Sequence, residues 1–340
     1  MEMVMEDRIL LAHGSGGKLM HDLIAKHFVT TLGNPILDKL DDSAVFELGS
    51  QRKLAFTTDS YVVSPIFFPG GDIGKLAVCG TVNDLAMSGA IPLYLSLSLI
   101  IEEGLLIADL ERIVDSIHQA AIEAGVKIIA GDTKVVNKGS ADKLFITTSG
   151  VGMVPPGINI SGENAKPGDK VIVSGTIGDH GIAIVSQREG LKFKVPVASD
   201  CAPLNRLVAE MVETSAHIHC LRDPTRGGLA TTLNEFARQS KVGMVIEEAN
   251  IPVKKSVLSA CELLGFDPLY LANEGKLAAV VAPEDADKVL ARMKQNRYGA
   301  GATIIGEVVA EHPGRVIMKT RLGASRIVDM LVGELLPRIC

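Results

Sequence analysis

The sequence contains no tryptophan, and its 9 Phe and 4 Tyr make up only 4% of 340 residues. A platform that stacks nucleic-acid bases on aromatic rings is therefore not expected. The chain also lacks a long basic run, and 34 Lys plus Arg against 40 Asp plus Glu give a net charge of −6. This mildly acidic balance excludes nucleic acid and anionic membrane surfaces as expected partners.

Long apolar runs and paired cysteines are missing as well. The longest apolar stretch, residues 91–101, is interrupted by Pro92, Ser96 and Ser98 and is too short to cross a bilayer. The acidic start MEMVMEDR has no signal-peptide core, so we expect a cytoplasmic protein. The five cysteines form no CxxC pair, which indicates neither a disulfide framework nor a zinc ribbon.

What is present is the composition of a soluble globular protein, with 47% hydrophobic and 22% charged residues. The length suggests two domains, and strand-like and helix-like segments alternate along the chain, which predicts an α/β (α+β) architecture. A Pro- and Gly-rich stretch at 155–169 marks the best boundary. We therefore expect an N-terminal domain at 1–154, a C-terminal domain at 155–330 and a tail at 331–340.

Hydrophobic periodicity and turn residues place the elements. The predicted helices cover residues 18–32, 73–88, 109–124, 203–214, 225–239, 256–264 and 284–294. The predicted strands cover residues 44–48, 54–59, 92–101, 126–130, 143–151, 171–174, 242–247, 277–282 and 304–309.

A glycine-rich loop precedes the first predicted helix and has the sequence His13-Gly14-Ser15-Gly16-Gly17-Lys18. Glycines let backbone N–H groups approach a phosphate at a helix N-terminus, but the same loop is also an ordinary turn that opens a helix. Both interpretations stay open on this segment alone. It is not a Walker A loop, because Ala12 stands where that motif needs glycine.

Carboxylates recur in small-residue contexts at the edges of predicted elements: Asp42, Asp59, Asp84, Asp132 and Asp223. Mg²⁺ takes hard oxygen ligands and usually bridges carboxylates to nucleotide phosphates. Aspartate also favours turns and helix N-caps, and for any single position that explanation is the simpler one. Asp84 is the hardest to explain locally, because it follows Asn83 inside a helix of small residues where both are poor helix formers.

Two further features could carry chemistry. Cys340 is the last residue, and a thiol on a mobile tail could enter an active site and then present its cargo to a partner. A frayed terminus is the plain alternative, although apolar Leu335, Leu336 and Ile339 argue against it. Glu274 lies in a short loop before a predicted strand, where it is either a general base or part of an ordinary turn.

Taken in order, these segments resemble one family. The motifs that carry the resemblance, from about residue 10 to the end, are HGSGGK, DDSAV, TTDSYVVSPIFFPGGDIGKLAVCGTVNDLAMSGAIP, AGDTKVV, VSGTIGDHG, DPTRGGL, ANEGKL and PRIC. They are similar to those of the HypE hydrogenase maturation proteins, in the superfamily of aminoimidazole ribonucleotide synthetase (PurM). The resemblance implies a two-domain PurM-like fold, a homodimer whose N-terminal sheets pair, and ATP with Mg²⁺ in the cleft.

The resemblance also implies a reaction. The tail cysteine, here Cys340, would accept a carbamoyl group from HypF, and ATP-dependent dehydration would turn this thiocarbamate into a thiocyanate. The cyanide would pass to iron in a HypC–HypD complex for a NiFe-hydrogenase centre. Two alternatives from other classes stay open: a small-molecule PurM-type synthetase, whose activity would not need Cys340, and a non-catalytic Cys-tail carrier.

The family's site residues carry over position by position. The resemblance implies Mg·ATP carboxylates at Asp42, Asp59, Asp84 and Asp132, and an acidic position of the second domain at Asp223. It implies nucleotide contacts from Asn83, Gly14, Ser15, Gly16 and Gly17. It places Lys134 and Glu274 near the tail thiol of Cys340; we assign Glu274 as the base, Lys134 as stabiliser of an oxyanion or phosphate, and His13 as a lesser candidate.

Overall fold

The structure of the chain is a computed structural model, which describes residues 9–49, 53–191, 196–333, 335–336 and 338–340. The strands in these ranges are β1 (Ala44–Glu47), β2 (Lys53–Tyr61), β3 (Phe67–Phe68), β4 (Gly71–Asp72), β5 (Ile91–Glu102), β6 (Lys127–Val136), β7 (Leu144–Val154), β8 (Lys170–Val173), β9 (Ile218–Arg222), β10 (Gly243–Glu247), β11 (Ala278–Val281), β12 (Thr303–Val309), β13 (Val316–Lys319) and β14 (Ser325–Val328). The α-helices are α1 (Lys18–Leu23), α2 (Thr30–Leu32), α3 (Ile73–Met87), α4 (Ile107–Ala124), α5 (Asp179–Arg188), α6 (Asn205–Thr214), α7 (Gly228–Gln239), α8 (Lys255–Leu264) and α9 (Pro283–Met293).

The N-terminal half builds a five-stranded sheet in the order β1-β2-β7-β5-β6. Helix α3 lies across it and begins where the Asp72 carboxylate accepts hydrogen bonds from the backbone N–H groups of Gly74 (2.8 Å) and Lys75 (3.0 Å). Nearly every side chain of α3 is buried, so this helix has no solvent face. Because its residues are small, α3 packs closely against the sheet on one side and against helices α4 and α6 on its other sides.

The C-terminal half builds a seven-stranded sheet in the order β14-β13-β10-β12-β8-β11-β9. Side chains alternate across it: Val171 and Val173 join the core under α7, whereas Ile172 joins the core that α6 and α9 cover. A helix layer on each face explains why β11, inside this sheet, is apolar and buried at every position. Within the described residues, no helix combines the length and apolar character needed to span a membrane.

Three of the differences from the predicted elements are informative. The predicted helix 18–32 is interrupted by a π-helical segment, Ile24–Val29, between α1 and α2. Helix α5 escapes prediction because its residues from Asp179 to Val185 are all buried, which removes the amphipathic period. Strands β13 and β14 are four residues each and depend on pairing with each other and with β10.

Candidate functional site

A cavity of about 190 Å³ lies where the two sheets' loops meet, and we call it the inner pocket. Its lining combines carboxylates, one arginine and the terminal cysteine: Asp42, Asp59, Ser60, Tyr61, Gly80, Asp84, Asp223, Thr225, Arg226, Glu274 and Cys340. Residues separated by almost the whole chain therefore meet around one small space.

Strand β2 and helix α3 supply one wall of the inner pocket. The Thr57 hydroxyl donates to Asp84 Oδ2 at 2.9 Å, and the Tyr61 hydroxyl donates to Asp59 Oδ2 at 3.1 Å. Gly80 of α3 is required there, because a Cβ at this position would lie 2.3 Å from the Tyr61 hydroxyl. The period of two along β2 thus aims these side chains at one turn of α3.

The segment after β9 supplies the opposite wall. Arg222 pairs with Asp42, whose Oδ1 lies 2.9 Å from the guanidinium Nε, and also with Glu235. Burial raises the pKa of Asp42 well above its usual range even though Arg222 opposes the shift. Burial, and next the nearby charge of Asp59, raise the pKa of Asp223 to about 7.

The inner pocket is therefore an unbalanced cluster of negative charge. The pKa of Asp84 is raised well above its usual range, first by burial and then by Asp59 and Asp223. Buried carboxylate oxygens of Asp42, Asp223 and Glu274 have no hydrogen-bond partner. Such atoms fit a divalent cation or the cationic face of a metal–phosphate complex.

No group of three or more His, Cys, Asp or Glu side chains in the described ranges is spaced to hold a metal by itself. Mg²⁺ does not require such a group, because it is usually bound through one or two carboxylates together with substrate phosphates and waters. The donor chemistry of this site therefore fits Mg²⁺ when it arrives with a nucleotide.

Glu274 is held by its backbone, while its side chain is left free. Its N–H donates to Asp200 Oδ1 at 3.1 Å, and a Cβ on the following Gly275 would lie 1.8 Å from the Asp200 carbonyl. The carboxyl group is 2% exposed, and burial raises its pKa well above its usual range. A carboxylate in this state accepts a proton more readily than an ordinary glutamate, as a general base must.

The chain end is docked beside Glu274. The N–H of Val62 donates to the main-chain oxygen of Cys340 at 3.0 Å, and the N–H of Ser64 donates to the Arg338 carbonyl at 3.2 Å. Cys340 is 7% exposed, and burial raises the pKa of its thiol to about 12, with Arg226 opposing the shift. The sequence predicts a mobile tail, whereas these described residues lie against residues 62–64 with the thiol in its protonated form.

Arg226 is a site residue that sequence reasoning missed. Among the described residues that line the inner pocket it is the one cation, and its Nη1 donates to the Gly14 carbonyl at 3.1 Å. The neighbouring Cys340 is the main cause of a raised pKa for Arg226. The DPTRGGL motif contains Arg226, but only the fold shows that its side chain reaches the thiol.

A larger cavity of about 440 Å³, the outer cleft, adjoins the inner pocket. The two cavities share Asp42, Asp223, Thr225 and Arg226, so charged residues form the border between them. The outer wall is largely apolar and includes Met20, Ile24, Ile36, Leu37 and Phe56. An apolar cleft that leads to a charged end suits a nucleotide with its base outside and its phosphates inside.

Seven predicted site residues lie outside both cavities' linings: four in the glycine-rich loop (His13, Gly14, Ser15 and Gly17), and Asn83, Asp132 and Lys134. Asn83 is fully buried and bridges the halves: its Nδ2 donates to the Ala202 carbonyl at 3.1 Å, and its Oδ1 accepts from the Leu204 N–H at 2.8 Å. This differs from the expected nucleotide contact, because the amide is already used. Asp132 and Lys134 are exposed on edge strand β6 and pair with each other at 2.7 Å.

The predicted glycine-rich loop serves close packing. Gly16 has a φ of +74° and a Cβ there would lie 2.7 Å from Arg226, while a Cβ on Gly17 would lie 2.2 Å from the Leu331 carbonyl. Of the loop, Gly16 alone lines the outer cleft. The neighbouring polar groups are used locally, since Ser15 Oγ donates to the Ala12 carbonyl and His13 Nδ1 accepts from the Leu10 N–H.

Known families match both halves of the chain. Residues 40–154 match the family described as AIR synthase related protein, N-terminal domain, and residues 166–319 match its C-terminal domain. The chain is thus a two-domain AIR synthase-related protein with the PurM-like α/β fold, as the sequence predicts.

Curated relatives identify the family within the AIR synthase-related proteins. The chain is 56% identical over 338 residues to carbamoyl dehydratase HypE of Rhizobium leguminosarum bv. viciae, covering 99% of this chain and 96% of the relative. It is 46% identical over 338 residues to carbamoyl dehydratase HypE of Escherichia coli (strain K12), covering 98% and 100%. The chain belongs to the HypE family, so the predicted family and its enzyme class, carbamoyl dehydratase, are confirmed.

Solved structures agree. A HypE–HypF complex superposes with a TM-score of 0.87 at 52% identity, covering 91% of this chain and 99% of that one. A HypE structure in complex with ATP superposes with a TM-score of 0.83 at 51% identity, covering 98% and 100%. The fold described above is therefore the one adopted by experimentally determined HypE proteins.

Proposed function

We propose that this chain dehydrates a carbamoyl group carried on its own Cys340 to a thiocyanate, at the expense of ATP, and so supplies cyanide for a hydrogenase iron centre. The observation that carries the proposal is the inner pocket. There a terminal thiol, an unpartnered buried glutamate and four aspartates line one cavity of about 190 Å³.

We place ATP in the outer cleft, with its phosphates at the border with the inner pocket. The similarity to a HypE structure in complex with ATP supports ATP binding, and the apolar wall and charged end of the outer cleft support this placement. Asp42 and Asp223 at the border, with Asp84 behind them, would hold Mg²⁺ with the phosphates. When bound there, Mg²⁺ would neutralise charge on the transferring phosphoryl group.

The chemistry needs a leaving group and a base. A carbamoyl oxygen leaves poorly, so the γ-phosphoryl group is transferred to it and ADP is released. Loss of the two N–H protons and departure of inorganic phosphate then turn S–C(=O)–NH₂ into S–C≡N. Glu274 is the residue we assign to proton removal, because it is buried, unpartnered and beside the thiol.

Arg226 is the cation placed for the same reaction. It lines both cavities, so it borders the path of the phosphoryl group from ATP to the carbamoyl oxygen. We propose that Arg226 stabilises charge developing on that oxygen and on the phosphoryl group, a role in which arginine is common.

A non-catalytic carrier is the less supported alternative. A buried carboxylate without a partner costs free energy, and a carrier gains nothing from placing Glu274 beside its thiol. A small-molecule synthetase likewise has no use for a cysteine docked in the reaction pocket.

Loading and unloading of the thiol require partners. A solved HypE–HypF complex supports a HypF-type protein as the carbamoyl donor, and we propose a HypC–HypD complex as the cyanide acceptor. Because Cys340 is 7% exposed when docked, both exchanges require the tail to leave the inner pocket.

Intact-protein mass spectrometry tests the proposal. After loading by the carbamoyl donor and addition of Mg·ATP, the wild-type adduct should lose the mass of one water. Glu274→Gln should accept the carbamoyl group but dehydrate it about 10²–10⁴-fold more slowly, as expected when a positioned base is lost. Glu262→Gln, an exposed glutamate of α8, is the matched control and should behave as wild type.

Cys340→Ser should never gain the carbamoyl adduct. Dehydration of the Glu274→Gln adduct at the wild-type rate would show that the base is another group. A wild-type adduct that keeps its mass in the presence of Mg·ATP would favour the carrier.

A further inference from the structure

His180 lies outside the inner pocket's lining but is bonded to the docked tail. It belongs to α5 and is fully buried. Its Nε2 lies 2.8 Å from the carbonyl oxygen of Ile339, the residue before the terminal cysteine. Its Nδ1 lies 2.8 Å from the Ser199 hydroxyl.

These contacts fix the tautomer of the ring. A carbonyl oxygen only accepts, so Nε2 must carry the hydrogen and donate it to Ile339. Burial lowers the pKa of His180, which keeps the ring neutral, so Nδ1 accepts from the Ser199 hydroxyl. The Ser199 oxygen in turn accepts from the Cys201 N–H at 3.0 Å. Every donor in this series of hydrogen bonds, from Cys201 through Ser199 and His180, therefore points toward the tail.

The residues that follow Ser199 are hydrogen-bonded to the loop of the proposed base, Glu274. Asp200 accepts from the Glu274 N–H, and the Ala202 N–H donates to the Glu274 carbonyl at 3.3 Å. Residues 199–202 are thus hydrogen-bonded both to the loop that carries Glu274 and, through His180, to the tail that carries the thiol.

The bond from His180 is on the other side of the tail from the backbone bonds that Val62 and Ser64 make with it. The Arg338 side chain adds bonds to the Val62 carbonyl and to Asp142. The main-chain oxygens of Arg338 and Cys340 accept from residues 62–64, and the Ile339 carbonyl between them points away from that segment to His180. An extended chain paired along one edge can shift its register by two residues and keep the same kind of bonds. A contact on the opposite edge removes that freedom.

We propose that His180, oriented by Ser199, is a positioning residue that fixes the register of the docked tail and so presents the carbamoyl group of Cys340 to Glu274. The positioning role rests on the proposed dehydratase function. The docking role does not, since it concerns the unmodified tail.

Alkylation of Cys340 by iodoacetamide, followed on the C-terminal peptide by mass spectrometry, tests docking without any turnover. The thiol reacts only in molecules whose tail has left the inner pocket. His180→Leu loses one hydrogen bond of about 0.5–1.5 kcal/mol, which should raise the fraction of such molecules, and with it the alkylation rate, about 2–10-fold. Ser199→Ala should change the rate in the same direction but less. His180→Gln keeps a donor for Ile339 and should restore a rate near wild type.

Single-turnover dehydration of the carbamoylated protein tests positioning. We expect the dehydration rate of His180→Leu to fall about 10²-fold, as it does when a reacting group is misplaced by about 1 Å. His180→Gln should recover most of that rate. His118→Leu, an exposed histidine of α4, is the matched control in both measurements and should resemble wild type.

The outcomes separate the two proposals. An unchanged alkylation rate in both His180→Leu and Ser199→Ala overturns the docking role. If His180→Leu is poorly folded and alkylates faster for that reason, the milder Ser199→Ala decides. Faster alkylation with wild-type dehydration overturns the positioning role. A wild-type protein that never loses water overturns the dehydratase and, with it, the positioning role, while the order of alkylation rates still decides the docking role.

Discussion

At the scale of single residues, the inner pocket buries carboxylates where their charged forms cost free energy. The pKa values of Asp42, Asp84 and Asp223 are all raised, chiefly because their charged forms are poorly solvated, and Arg222 offsets only part of this for Asp42. A site built in this way trades stability of the empty protein for affinity toward a cationic ligand.

Asp84→Asn should raise the stability of the empty protein and lower its affinity for Mg·ATP. The amide keeps the size and can still accept from the Thr57 hydroxyl, but it removes one buried charge. We expect the empty protein to become more stable at pH 8, because the raised pKa of Asp84 means that its charged form costs folding free energy. Affinity for Mg·ATP should fall, because the metal loses a charged ligand.

The sign of the pH dependence follows from the raised pKa of Asp84. The folded protein binds this proton more tightly than the unfolded chain, so ionisation costs stability as pH rises above about 4, the ordinary aspartate pKa. The advantage of Asp84→Asn should therefore be absent near pH 4 and grow toward pH 8 in thermal melts. Asp115→Asn, on the exposed side of α4, should show no such trend. Unchanged nucleotide affinity by calorimetry with Mg²⁺ present would remove Asp84 from the site.

Single residues also mark the limit of sequence reasoning. Asp84 stands out in the sequence because it is a poor helix former inside a helix, and the structure places it on the inner pocket. Asn83 stands out for the same reason yet bridges two halves of the chain. Arg226 and His180 give no local signal, because their roles depend on contacts with residues more than a hundred positions away.

At the scale of elements, the turn before α1 and the start of the tail depend on each other. The N–H of Lys18 donates to the Leu331 carbonyl at 2.8 Å, and Gly17 leaves no room for a side chain at that contact. The loop that the sequence suggests as a phosphate cradle is therefore also a packing surface for residues that lead to Cys340.

Gly17→Ala should loosen this contact. Its Cβ would lie 2.2 Å from the Leu331 carbonyl, so the backbone must shift at a cost of about 1–3 kcal/mol. We expect a lower Tm and faster alkylation of Cys340. Gly14→Ala is the matched control, because a Cβ there meets nothing within 4 Å. If Gly14→Ala weakens ATP binding while Gly17→Ala leaves Tm and alkylation unchanged, the phosphate interpretation of the loop is favoured over the packing one.

Elements with a clear period and a clear end could be predicted from sequence. Helix α4 has alternating buried and exposed sides and ends at Gly125, whose φ of +76° few other residues tolerate. Helix α5 is buried over most of its length, and the four-residue β14 pairs with β13 at the edge of its sheet, so neither leaves a periodic signature. Tertiary contacts rather than local propensity decide these elements.

At the scale of the whole molecule, the N-terminal sheet has an unprotected edge. Strand β6 is exposed along nearly its full length, including Ile129 at 64% and Val135 at 68%, and Tyr94 of the adjacent β5 is 43% exposed. A ten-residue edge strand with exposed Ile128, Ile129 and Val135 invites pairing with another sheet. This supports the homodimer that the family resemblance implies, with β6 at or near the interface.

Substitution at that edge tests the dimer. Ile129→Glu should place a charge in the interface and give the mass of one chain by light scattering, where wild type gives two. Leu322→Glu, at a side chain that is 97% exposed in the turn between β13 and β14, is the matched control and should stay dimeric. A wild-type protein with the mass of one chain at micromolar concentration would contradict the proposal.

A dimer through β6 would also give Asp132 and Lys134 a role that one chain does not give them. Both lie on this strand, away from the inner pocket of their own chain, and pairing would carry them toward the partner. If Lys134 serves the partner's pocket, then Lys134→Ala and Cys340→Ser chains, each inactive alone, should recover dehydration when mixed. A heterodimer then has one complete site, and random exchange gives about one quarter of the wild-type sites. If Lys134 instead acts within its own chain, no heterodimer site combines this lysine with a tail thiol, and the mixture should stay as inactive as its components. Recovery that disappears when Ile129→Glu is added to both chains would tie the shared site to this edge of the sheet.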